Sequence, residues 1–247
     1  MKIDALYTEF PGNPLLNSPD LAHLHKLATR YGFLLIVDDT VGIAANLALF
    51  PWCDIICTSL TKMFSGGCNV MGGSTILNPK SPTYTDMRAV FSQQTREPYF
   101  PLDILVMEQN SRDMISRVRK ASSNAEELTT ILRSHPTVSE VFYPKGSTTQ
   151  ALYDKFRRPD GGYGFLLSIT FMTPAAAMAF HDALHVAKGP SLGTNFTLCC
   201  AYTLLAHSAE LEWAAQSGVV EHLVRISVGI EDLDLLKEVV YYALRQT

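Results

Sequence analysis

The chain has no hydrophobic run approaching the roughly 18 residues needed to cross a bilayer, and Met1 to Tyr7 lack the apolar core of a signal peptide. A membrane partner is therefore not expected, and the expected location is cytoplasmic. Excess charge is also scarce: 20 Lys and Arg stand against 24 Asp and Glu, for a formal charge of −4, and the basic residues form no long block. That balance argues against nucleic acid or an anionic lipid surface and points to small-molecule chemistry. The five cysteines are odd in number and include no C-x-x-C pair, which argues against a disulfide framework and a structural zinc site. They read as reduced thiols. His23 and His25, two positions apart, point to different sides of a helix, and no carboxylate spacing completes a metal shell around any of the seven histidines. What remains is 47% hydrophobic and 18% charged over 247 residues, the composition of an ordinary globular protein.

Local signals divide the chain into alternating helices and strands. Ser18-Pro19-Asp20 offers an N-cap, a proline at the first helical position and an early acid; Leu21, Leu24, Leu27, Ala28 and Tyr31 follow at helical spacing, and Gly32 can close the end. Phe33 to Val37 is a short continuous apolar run, as expected of a parallel strand covered on both faces, and it stops at Asp38-Asp39. A second short segment, Asp54 to Thr58, leads towards Lys62. A long helical region over about Asp103 to Ser134 is expected to be bent or divided, and His135-Pro136 ends it. Strands are expected over Val138 to Tyr143 and Phe165 to Phe171. From Val224 to Gly229 the pattern alternates, so Arg225, Ser227 and Gly229 form one polar face presented to something. A closing helix, Asp232 to Arg245, should pack back on this sheet.

The stretch Thr58-Ser59-Leu60-Thr61-Lys62-Met63-Phe64-Ser65-Gly66-Gly67 places an amine, hydroxyls and a glycine turn together, with an acid, Asp38, delivered from the end of a neighbouring strand. Ligands of open α/β sheets gather outside the carboxyl ends of such strands. The combination suits pyridoxal 5'-phosphate (PLP): the lysine forms a Schiff base, hydroxyls bind phosphate, and an aspartate keeps the pyridine nitrogen protonated. Taken singly, the same residues also fit plainer roles. A lone lysine in such a loop is usually solvated, an aspartate caps helices, and an arginine in a strand is often an edge charge.

Five segments in order resemble the trans-sulfuration family of PLP enzymes: Glu9-Phe10-Pro11-Gly12-Asn13-Pro14, Val37-Asp38-Asp39-Thr40, Ser59-Leu60-Thr61-Lys62, Ser191-Leu192-Gly193 and Leu223 to Glu231. Within the family, Phe64 to Gly73 and Pro190 to Phe196 are most similar to fungal cystathionine γ-synthases. The resemblance implies an α/β fold of the fold-type-I, aminotransferase-like class, with a partial large PLP domain over residues 1–120 and a smaller C-terminal α/β domain over 121–247. It implies Lys62 as the Schiff-base lysine, Asp38 as partner of the pyridine nitrogen, and Ser59 and Thr61 as phosphate contacts. Asn13 would lie beside the cofactor's phenolic oxygen, Arg225 would take the substrate α-carboxylate, and Ser191 would support that carboxylate site. Two positions depart from the family pattern: Asp39 stands where asparagine is usual, and Thr194 stands where many relatives carry a second glycine. The family's upstream phosphate-binding glycine turn, its ring-stacking tyrosine, and the tyrosine and arginine given to a neighbouring subunit have no counterpart in this sequence.

The activity implied is γ-substitution on an O-acyl-L-homoserine, with cysteine giving cystathionine or with another nucleophile in secondary metabolism. Alternatives sharing the motifs are a lyase-type elimination and a catalytically silent fragment that keeps the fold for subunit association; an incomplete gene model of a longer enzyme is a further one. Amino-acid substrates and a homo-oligomer are the implied partners.

Overall fold

Asp20, and not the expected Ser18, caps the first helix. In the computed structural model, which describes residues 3–94, 96 and 99–247, helix α1 spans Leu21–Tyr31 and the Asp20 carboxylate accepts from the His23 amide at 3.2 Å. Pro19 precedes the cap instead of opening the first turn, and the buried Ser18 hydroxyl has no hydrogen-bond partner among the described residues. Gly32 ends the helix, its amide donating to the Ala28 carbonyl at 2.8 Å.

The apolar run becomes β2 (Leu34–Asp38), flanked in parallel by β1 (Ala5–Glu9) and β3 (Ile55–Ser59). Strand β4 (Gly73–Leu77) adds antiparallel to β3 and completes a sheet of order β1-β2-β3-β4. Both faces of β2 are covered, which is why its sequence does not alternate. Leu35 and Val37 pack with Leu21 and Ala28 of α1, whereas Ile36 packs with Ile55 and with Met87 of α2 (Tyr84–Gln94). In register, Asp38 pairs with Cys57, so the aspartate and the segment leading to Lys62 leave the same carboxyl edge of the sheet.

The long helical region is divided at Arg112-Asp113 into α3 (Pro101–Ser111) and α4 (Met114–Arg133). Helix α4 reaches from the neighbourhood of Lys62 into a second core, with residue 120 inside it. There Ala125, Leu128 and Leu132 meet β5 (Val138–Phe142) and β6 (Leu166–Phe171). After α5 (Gln150–Asp154) and α6 (Pro174–Ala183), the chain adds β7 (Ala187–Lys188) and β8 (Leu198–Ala201). Two short helices follow, α7 (Tyr202–Ala206) and α8 (Leu211–Gln216), then β9 (Val224–Ser227) and α9 (Leu233–Leu244). The second sheet has the order β5-β6-β9-β8-β7, antiparallel except between β7 and β8. Leu236, Val240, Ala243 and Leu244 of α9 pack on it beside Val224 and Ile226.

The alternation in β9 is present, but its second face is not open to solvent. Arg225 is 3% exposed and Ser227 1%, both buried where the two sheets approach each other. A separate cluster fills that junction, with Leu16, Val41, Met63, Val118, Phe165, Leu166 and Leu192 drawn from both halves. Among the described residues no helix is long and apolar enough to cross a membrane.

The cap assignment is testable by urea unfolding. Asp20→Ala is expected to cost about 1 kcal/mol, whereas Ser18→Ala, which removes a buried hydroxyl unpartnered among the described residues, should be neutral within about 0.5 kcal/mol or stabilising.

Candidate functional site

The site lies at the carboxyl edge of β2 and β3 and is closed by a loop from the second sheet. Strand β3 ends at Ser59, and the chain enters a short irregular turn, Leu60–Phe64, in which Lys62 leaves helical torsions (φ −82°, ψ −136°). The Lys62 Nζ donates to the Ser191 hydroxyl at 2.9 Å. Thr61 braces the turn: its hydroxyl accepts from the Gly72 amide at 3.0 Å and donates to the Gly72 carbonyl at 3.3 Å. The Ser59 amide donates to the Thr40 hydroxyl at 2.8 Å, which ties the ends of β3 and β2 together. Gly193 passes so close that a Cβ there would stand 2.9 Å from the Lys62 Cβ and 2.7 Å from the Met63 nitrogen, and its φ of +70° also favours glycine.

The adjacent carboxylates Asp38 and Asp39 have opposite surroundings, because successive residues at a strand end point to opposite faces. Asp38 is exposed, and its Oδ1 accepts from the Thr40 amide at 2.8 Å. Asp39 is buried and accepts from the Thr58 hydroxyl. Burial pushes the Asp39 carboxyl up to about 6; the Thr58 bond opposes the shift and the charge of Asp38 adds to it. Asp39 is thus largely protonated in mildly acidic solution and adds less charge there than its identity implies.

Arg225 lies across from the lysine. Its Nη1 donates to Asn13 Oδ1 at 3.0 Å, its Nη2 donates to the carbonyls of Pro190 and, at 3.2 Å, Ser191, and its guanidinium carbon stands 4.7 Å from the centroid of the Tyr202 ring. Asn13 is held by its own amide, which donates to Glu9 at 2.6 Å. Burial raises the Glu9 carboxyl, the Asn13 amide opposes that shift, and Asp38 reinforces it. The seven expected site residues therefore fall into two groups: Lys62 with Ser191, joined through Ser191 to Arg225 and Asn13, and Asp38, Ser59 and Thr61 along the carboxyl edge of the first sheet.

Three residues at this site were not singled out from the sequence. Arg117 of α4 is 4% exposed and bonds to the carbonyls of Met63 and Phe64, immediately after the lysine. Asn195 joins it, and Tyr202 covers Arg225. The signal for Arg117 was its spacing: it stands four residues before Ala121 on the stripe that continues through Ala125, Leu128 and Leu132, a charge where the helix otherwise turns apolar groups inward.

The donor set suits PLP: an amine for an aldehyde, hydroxyls and amides at a strand-to-turn edge for a phosphate, and an accessible carboxylate for a ring nitrogen. Lys62, Asp38, Ser59 and Thr61 are the groups that would hold it.

The raised Asp39 carboxyl carries a pH prediction. An unfolded aspartate deprotonates near 3.9, so between that value and about 6 the folded chain binds more protons than the unfolded one, and stability falls as pH rises through this window. Asp39→Asn keeps an acceptor for Thr58 and has no proton to lose. Urea titrations should show the variant close to wild type near pH 4 and more stable by roughly 2 to 3 kcal/mol near pH 7; a difference independent of pH would refute the assignment.

Residues 1–245 match the model of the Cys/Met metabolism PLP-dependent enzyme family. A cystathionine γ-synthase of Neurospora crassa is 48% identical over 241 residues, covering 98% of this chain and 39% of that protein. Among solved structures, the cystathionine γ-lyase of Lactobacillus plantarum complexed with L-serine superimposes with a TM-score of 0.89 at 25% identity, covering 98% of this chain and 64% of that one. The cystathionine γ-synthase of Xanthomonas oryzae pv. oryzae in complex with cystathionine gives 0.88 at 26% identity, covering 98% and 63%. The chain thus spans about two fifths of the Neurospora protein and under two thirds of either solved chain. With an α/β architecture matching fold-type-I PLP enzymes and a family match over nearly its whole length, the chain belongs to the Cys/Met metabolism PLP-dependent enzyme family.

Proposed function

We propose that the protein acts in the cytoplasm as a PLP-dependent γ-substitution enzyme on an O-acyl-L-homoserine, with L-cysteine as nucleophile and L-cystathionine as product. The observation carrying this reading is the position of Ser191, which bonds through its hydroxyl to Lys62 and through its carbonyl to Arg225. An amine and a guanidinium held on two sides of one residue suit an α-amino acid, whose reacting carbon and carboxylate are one bond apart. When bound, PLP supplies the electron sink for carbanion chemistry. Lys62 Nζ takes the proton from the substrate Cα, Arg225 orients the carboxylate with Ser191 beside it, and Asn13 fixes the guanidinium from below. Asp38 is read as the partner of the ring nitrogen, and Ser59 and Thr61 as phosphate contacts. Residues 1–120 are read as part of the cofactor-binding domain and 121–247 as the smaller domain, in a homo-oligomer. The likeness to the Neurospora and Xanthomonas synthases supports substitution, and the likeness to the Lactobacillus lyase supports elimination as the second reading.

Purified protein mixed with PLP is expected to develop a visible absorption band that Lys62→Ala abolishes. Loaded protein given O-acyl-L-homoserine should form cystathionine only when cysteine is present; a keto acid released equally with and without cysteine would favour elimination. No band from folded wild-type protein would favour a silent fragment. Arg225→Lys, which loses the planar fork, should raise KM for the amino acid roughly tenfold to a hundredfold with a smaller change in kcat.

A further inference from the structure

We propose that Arg117 is the positioning residue for the Lys62 amine, locking the lysine's turn to the loop that carries Ser191. The assignment rests on the reading of Lys62 as the reactive lysine. A buried cation is costly unless its donors are paired, and a guanidinium has five N–H groups in a fixed plane. Arg117 places all five. Nε donates to Asp113 at 2.7 Å; Nη1 donates to the Met63 carbonyl at 2.8 Å and to Asn195 Oδ1 at 3.1 Å; Nη2 donates to the carbonyls of Phe64 and Asn110, each at 2.8 Å.

These acceptors come from three parts of the chain. Asn110 and Asp113 belong to the junction between α3 and α4, Met63 and Phe64 follow Lys62 directly, and Asn195 lies four residues beyond Ser191. Asn195 is itself tied to the lysine's turn, since its amide donates to the Gly66 carbonyl at 2.9 Å, and Gly66 in turn donates to the Lys62 carbonyl at 2.7 Å. Asn110 adds a side-chain bond to the Ser65 hydroxyl at 2.8 Å. The turn and the loop are therefore gripped from one side by a single group, while on the other side the Lys62 amine meets Ser191 at 2.9 Å. A rigid fork behind the peptide chain sets where the amine stands in front of it. Lysine at this position would present one ammonium and could not face acceptors spread around a plane.

The test compares Arg117→Met and Arg117→Lys with the wild-type 247-residue chain. Amide hydrogen exchange without cofactor reads whether Arg117 holds the two segments. Both variants should exchange about tenfold to a hundredfold faster over residues 60–68 and 191–197, with β2 and α9 unchanged. Reductive trapping with PLP and borohydride, followed by peptide mapping, reads where the amine stands: the share of label on Lys62 relative to the other lysines should fall in both variants. Unchanged exchange in the two segments overturns the proposal, as does equal loosening throughout the chain, which would make Arg117 a general stabiliser. Faster exchange with wild-type labelling of Lys62 also overturns it, and so does full rescue by lysine. If wild type itself shows no preference for Lys62, the cofactor reading fails separately, and the exchange result alone decides whether Arg117 holds the turn.

Discussion

The backbone at Lys62 belongs neither to a strand nor to a regular helix, and the architecture around it depends on pairing the peptide groups this releases. Buried carbonyls and amides must find partners. Here they find them one by one: Thr61 bridges to Gly72, Gly66 returns to the Lys62 carbonyl, and the Met63 and Phe64 carbonyls point at a guanidinium. The turn is held from the first sheet, from α4 and from the second sheet's loop together. Removing any one support leaves buried polar groups unpaired, at about 1 to 3 kcal/mol each, so the lysine's position is over-determined by parts distant in sequence.

The paired aspartates show how one local rule produces two chemical environments. A strand end points Asp38 out of the sheet edge and Asp39 into the protein, where Thr58 is its donor. Two ionised carboxylates on adjacent residues repel, and the structure relieves this by burying one of them, so that its proton is retained up to about pH 6. Below about pH 6 the exposed Asp38 therefore has a largely protonated neighbour, whereas near neutral pH Asp39 is mostly ionised in spite of its burial. An aspartate at position 39 therefore costs stability near neutral pH, where burial opposes its ionisation.

Much of this was legible in the sequence where the signal is local. The apolar run Phe33 to Val37 marked a strand covered on both faces, observed as Leu34–Asp38, and the divided helix announced itself through its length. Of the seven residues expected at the site, Lys62, Ser191, Arg225 and Asn13 form one hydrogen-bonded set, while Asp38, Ser59 and Thr61 lie apart from it along the carboxyl edge of the first sheet. What escaped was non-local. Ser18 looks like a cap as good as Asp20, and only the path of the chain decides between them. The alternation of β9 does place Arg225 on a polar face, but whether that face meets water or a second sheet is not written in the strand itself. Arg117 could pass for an ordinary helix charge paired with Asp113 four residues before it, because the acceptors that tie it to the lysine's turn, two backbone carbonyls and one asparagine, lie 53 to 78 residues away and carbonyls leave no mark in a sequence pattern.

If Arg225 is the carboxylate receptor proposed above, its burial constrains how it can work. Without a substrate it cannot remain unpaired at 3% exposure, and it does not: Asn13, Pro190 and Ser191 supply acceptors, and the Tyr202 ring covers one face. A carboxylate that enters must exchange with some of these neutral acceptors, so its binding reflects the difference between a charged and an uncharged acceptor and not the whole of a buried ion pair. The Pro190 and Ser191 carbonyls belong to the same segment whose hydroxyl holds Lys62, so rearranging them to admit a carboxylate also disturbs the lysine's partner. On the proposed reading, recognition of a carboxylate and release of the amine would be mechanically linked through one short loop, a physical reason for that reading to favour an amino acid, which bears both groups on one carbon, over simpler acids and amines.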